Sequence, residues 1–174
     1  MIGPEYARAM ARYNRWMNER LYACCARLTD AERKADMRAF FRSIHGTLNH
    51  LLLGDRIWLA RFAGREYRTA SLAEELYADF DELRRERVQT DAAIEAWAAA
   101  LDEGALAAEL SYRSFVDPAP RRCALWLAAT HFFNHQTHHR GQLTTLLFQR
   151  GIDPGVTDLV WLPGVVTSGN AQPA

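Results

Sequence analysis

Six residues of this 174-residue chain are histidines, and they fall in two places: His45 and His50, then His131, His135, His138 and His139. A neutral imidazole can bind a divalent cation through one ring nitrogen while the other donates a hydrogen bond. Residues four apart on an α-helix lie one above the other on a single face. His131, His135 and His139 form such a ladder, and Ala128, Gln142 and Leu146 extend the same stripe. Two imidazoles at that spacing make a bidentate arm for a divalent metal. Several neutral imidazoles buried together are otherwise hard to satisfy, because each needs a partner for both nitrogens. A third ring from another helix would complete a three-nitrogen set with open coordination positions, which is the catalytic rather than the structural pattern.

His50 is the natural third ligand, at the edge of an apolar stripe on a separate segment. Gly54, one turn on, leaves room there for a neighbouring helix or a substrate. His45 points to a different side of that helix, and His138 lies off the His135 line as a flanking residue. The spacing leaves open whether the pair is His131 with His135 or His135 with His139. It also admits metal-free, hydrogen-bonded histidines. Asp55 falls in the middle of an apolar stripe, where an unpaired carboxylate is costly. It is expected to pair with an Arg such as Arg140, or to orient a ligand imidazole through its second nitrogen. Asp55, His131 and His138 are thus the candidates for supporting roles around the metal.

Several chemistries are excluded. His135 to His139 reads His-Gln-Thr-His-His, so Gln136 stands where the His-Glu-x-x-His proteases carry their general base. No Glu-x-x-His occurs, which removes the ferritin-like di-iron bundle. There is no Gly-rich phosphate loop and no Gly-x-Ser-x-Gly elbow. Cys24, Cys25 and Cys123 make no disulfide framework and read as reduced thiols, and Lys34 is the only lysine. Basic and acidic residues balance at 21 each, so nothing suggests nucleic acid, and a small-molecule substrate is the better expectation. No apolar run approaches the ~20 residues of a membrane span. The first residues carry no signal-peptide pattern, so a cytoplasmic location is expected.

The elements that must position these residues follow from apolar periodicity. Tyr6, Met10, Tyr13, Met17, Leu21, Cys24 and Leu28 predict a helix over 5–28. Thr29 and Glu32 form a capping-box pattern that restarts a short helix. Ile44, Leu48, Leu51, Asp55, Trp58 and Phe62 predict a second long helix over 39–62, ending at Gly64 before a loop at 65–70. A more solvated helix is predicted over 71–101. A loop with at most one short strand is expected over 102–120, the strand near 110–115. The last long helix is predicted over 121–150, stopped by Gly151 with Pro154 beyond. Trp161 and Leu162 are expected to tuck against the bundle and 163–174 to fray. The whole reads as one all-α domain, a four-helix bundle.

Tyr13-Asn14-Arg15-Trp16-Met17-Asn18, then Leu48-Asn49-His50-Leu51-Leu52 with Asp55 and Trp58, then Asn134-His135 through His139-Arg140-Gly141-Gln142, resemble the DinB family of metal-binding four-helix bundles. Nothing resembles the translesion polymerase that shares the name. The resemblance continues through Gly151-Ile152 and Asp158. It implies a bundle with a long crossover connection, a homodimer, and a metal held by His50, His135 and His139, which settles the choice of pair. Related bundles transfer low-molecular-weight thiols or isomerise maleylpyruvate with a thiol cofactor. The expected activity is therefore thiol S-transfer to a small electrophile, dependent on a divalent metal such as zinc or nickel and on a low-molecular-weight thiol. The alternatives are a metal-dependent hydrolase and a non-catalytic metal-binding stress-response bundle.

Overall fold

The computed structural model describes residues 2–115 and 119–165. Helix α1 (Pro4–Cys25) begins with Pro4 in its first turn, where a missing N–H costs nothing. The capping box is present at α2 (Asp30–Lys34): Glu32 N donates to Thr29 Oγ1 at 3.2 Å, and Thr29 N donates back to the Glu32 carboxylate at 2.7 Å. Helix α3 (Ile44–Phe62) is capped by Ser43 Oγ, which accepts from Gly46 N at 3.0 Å. Helix α4 (Phe80–Ala99) and the short α5 (Glu103–Ala107) follow, with Asp79 and Asp102 as their caps. Strands β1 (Glu109–Arg113) and β2 (Pro120–Ala124) form a hairpin that runs into α6 (Leu125–Gln149).

The four long helices enclose one core. Helix α1 packs against α4 and α6, and α3 packs against the same two, so α1 and α3 are diagonal. The segment holding α2 therefore crosses the bundle between α1 and α3, and the segment holding α5 and the hairpin likewise joins α4 to the diagonal α6. Phe132, Phe133, Met17, Leu21, Leu48, Leu52, Leu83, Ile94 and Leu143 are fully buried. Each such side chain contributes about 1.5–3 kcal/mol relative to exposure, which is what holds α3 and α6 side by side. No helix among the described residues is long and apolar enough to cross a membrane.

Four boundaries differ from the sequence reading, each for a non-local reason. Residues 71–79 are not helical. They run along α3, where the Asn49 amide donates to Tyr77 O (3.1 Å) and accepts from Tyr77 N (3.0 Å), replacing the helical hydrogen bonds. The hairpin has two strands rather than one: Glu109 pairs with Ala124 and Arg113 with Pro120, so residues 120–124 belong to the sheet and α6 starts later than expected. Residues 103–107, read as loop, form α5, whose Leu106 is completely buried. Residues 39–43 belong to the loop ahead of α3, which turns through left-handed backbone at Arg38 (φ 55°) and Arg42 (φ 66°). At the end, Gly151 takes φ 72° and stops α6 as expected. Leu162 is buried, but Trp161 is 63% exposed and does not tuck in. Of the tail expected to fray, residues 166–174 lie outside the described residues.

Candidate metal centre

Helix α6 carries His135 and His139 one turn apart, and α3 brings His50 to face both. His50 Nε2 lies 3.3 Å from His135 Nε2 and 3.2 Å from His139 Nε2. One ligand nitrogen from each of the three lies within 4.8 Å of the others. Ligands ~2.1 Å from one ion at tetrahedral angles stand about 3.4 Å apart, so this donor set fits a divalent cation. Among the described residues no cysteine or carboxylate joins the group, which leaves the rest of a coordination sphere to outside ligands.

The far side of two rings decides which nitrogen carries the proton. His50 Nδ1 donates to the backbone carbonyl of Leu72 at 2.7 Å, and His139 Nδ1 donates to Gln142 Oε1 at 2.7 Å. Protons held on Nδ1 leave the Nε2 lone pairs aimed at a common point, the arrangement a metal site requires. Burial keeps the rings neutral. It pushes the His50 pKa down to about 4, against its bond to Leu72 and helped by neighbouring His139. Burial, then His139 and His50, pushes His135 down to about 3. Burial also lowers His139, against its bond to Gln142.

Two neighbours shape the site. Phe41 stacks on His50 at 3.7 Å between ring centres, with planes 16° apart, and meets His139 edge-on at 5.4 Å. The loop that delivers it contains the two left-handed arginines, a conformation that costs an ordinary residue about 1–2 kcal/mol. At Gly54, a Cβ would come within 2.9 Å of His135 Cε1. The space left by this glycine is filled by the His135 imidazole.

The remaining sequence candidates lie outside the three-ring group. His131 is exposed, its ring 5.0 Å from Trp58 and 6.1 Å from His135. His138 is exposed too, and its Nε2 accepts from Gln142 Nε2 at 3.3 Å, so it touches His139 through that amide. His45 is buried and donates from Nε2 to Tyr77 O at 2.9 Å. Asp55 pairs neither with a ligand histidine nor with Arg140. Arg87 on α4 donates to Asp55 Oδ2 at 2.5 Å and Gln136 to Oδ1 at 2.7 Å. Arg140 is turned instead to Asn14 and to Thr137. Phe41, the Leu72 carbonyl and the role of Gln142 were missed. Gln142 had a signal, as a polar residue one turn past His139 on the same stripe. The Leu72 carbonyl had none.

A helical bundle with three neutral imidazoles converging from two helices defines a class of candidate metalloprotein. The DinB family's sequence model matches residues 1–167, and the chain belongs to that family. Among solved structures, a DinB-like protein from Bacillus cereus ATCC 10987 matches with a TM-score of 0.60 at 20% identity, covering 80% of this chain and 90% of that one. That likeness establishes the shared fold. No functionally curated protein matches the chain.

Proposed function

We propose that the chain is a divalent-metal-dependent enzyme that joins a low-molecular-weight thiol to a small electrophile, with His50, His135 and His139 as the metal ligands. The observation that carries this reading is the convergence of the three Nε2 atoms while two of the Nδ1 protons are pinned from behind. A zinc or nickel ion held there would supply Lewis acidity, lowering the proton affinity of a thiol or water beside it so that the nucleophile forms near neutral pH. The chain's own residues do the rest. The Leu72 carbonyl and Gln142 hold the imidazoles in the ligating tautomer. Phe41 covers one side of His50 and keeps water off it. His131, one turn before His135, and His138, beside His139, are exposed and offer the released proton a route to solvent. Three ligands rather than four favour catalysis over a saturated, purely structural ion.

The test is thiol consumption. Metal-loaded protein, purified without a His tag, is mixed with a panel of low-molecular-weight thiols and monochlorobimane. The reading predicts conjugate formation that requires both metal and thiol and is lost in His135→Ala. Conjugation no faster than the thiols alone would contradict it. Metal-dependent hydrolysis of ester substrates, with no thiol consumed, would replace it by the hydrolase alternative.

A further inference from the structure

A cavity of about 860 Å³ opens between the C-terminal end of α3, the segment after it and the β1–β2 hairpin. Its volume is in the range of small-molecule sites. Arg61, Arg65, Arg68, Arg113 and Arg122 all line it, against one carboxylate, Glu66, among the described lining residues. In a chain whose 21 basic and 21 acidic residues cancel, that is a concentrated excess of one sign. Glu109 approaches Arg122 at 3.8 Å. No carboxylate pairs with Arg61, Arg65, Arg68 or Arg113 among the described residues.

Arg61 is held in place before any ligand arrives. Its guanidinium lies 4.6 Å from the Trp58 ring centre and 4.7 Å from that of Tyr112, and it donates to Arg113 O at 3.0 Å. The buried Trp58 ring lies between the two regions: it packs against Arg61 on one side and is 5.0 Å from His131, one turn before His135, on the other. Gly54, against which His135 rests, is seven residues from Arg61, about 10 Å along α3 at 1.5 Å per residue.

We infer that this cavity binds an oxyanion, the carboxylate or phosphate of a small molecule whose reacting end lies at the histidine cluster. Planar guanidinium forks match carboxylate and phosphate oxygens two at a time. A concave wall of one sign also raises the local concentration of an anionic ligand. A molecule that reaches both the cavity and the histidines is elongated, since Arg61 and Gly54 are about 10 Å apart along α3. The assignment of the reacting end rests on the proposed enzymatic reading; the anion site does not.

The test titrates metal-free and metal-loaded protein with inorganic phosphate and with glutarate by isothermal titration calorimetry. Saturable, salt-sensitive binding is expected for at least one of the two. It should weaken about tenfold or more in Arg65→Gln/Arg68→Gln. Those side chains are exposed, so the variant's Tm without ligand should match the wild type. Arg84→Gln/Arg85→Gln, on the exposed face of α4, is expected to bind as wild type does. Absence of saturation, or equal weakening in the two double variants, overturns the inference. Phosphate or glutarate binding to a protein that takes up no metal would uphold the anion site while the enzymatic reading fails. Metal uptake without either anion would defeat the anion site alone.

Discussion

Two polar clusters share helices α3 and α6, and they are closed in opposite ways. In one, Asp55, Asp91, Arg87 and Arg140 bring two negative and two positive charges together. Arg87 bridges Asp55 (2.5 Å) and Asp91 (2.9 Å), while Asn14 and Asn18 donate to Asp91 at 3.0 and 2.9 Å. Gln136 completes the Asp55 side at 2.7 Å. Arg87 is the counter-ion of both carboxylates, and Arg140 is held by the side chains of Asn14 and Thr137. In the other cluster, three neutral rings turn their ligating nitrogens toward one another, and no side chain among the described residues supplies the cation they face. The first cluster is structural. The second is arranged for something from outside.

That difference can be broken from either side. Arg87→Leu leaves Asp55 and Asp91 buried without their shared cation, and a broken buried pair costs about 3–5 kcal/mol. Chemical denaturation should show a loss of that size, with the folded fraction still taking up metal. A loss below about 1 kcal/mol would mean the layer is not held together as described. Gln142→Ala acts on the other cluster. It frees the His139 Nδ1 proton from its acceptor, and removing such an outer partner costs about 10–100-fold in metal affinity. Competition with a chromophoric chelator reads this directly, and metal-free stability should hardly change.

A further expected effect is in pH. Burial, the leading cause for both rings, pushes His50 to about 4 and His135 to about 3 in the folded protein, from an ordinary value of 6.5. The unfolded chain therefore binds protons there that the folded chain refuses. The stability these rings contribute is complete above pH ~6.5 and is lost as pH falls toward ~3–4. The Tm of metal-free protein should drop through that window, and less steeply in His135→Ala. Equal slopes would remove the histidines as the cause.

The contrast also explains what the sequence could reveal. His135 and His139 were legible because an i, i+4 repeat is local, and His50 because it stands at the edge of a clear stripe with Gly54 one turn on. The partner of Asp55 was not legible. It depends on the register of α4 around Arg87–Asp91, where charged residues obscure the apolar period. The 71–79 strap escaped for a related reason, since Asn49 and the histidines of α3 give its backbone non-helical partners. Strand β2 contains no β-branched residue and exists because β1 pairs with it. The resemblance supplied the choice between ladder pairs, and the geometry places His135 and His139, not His131, beside His50.

The central claim is that the three rings hold a metal ion. Elemental analysis of protein purified without a His tag, wild type beside His135→Ala, addresses it most directly. The account predicts about one divalent ion per chain in the wild type and less than about a tenth in the variant. Equal metal in both, or less than about a tenth of an equivalent in the wild type after incubation with zinc or nickel, would contradict it.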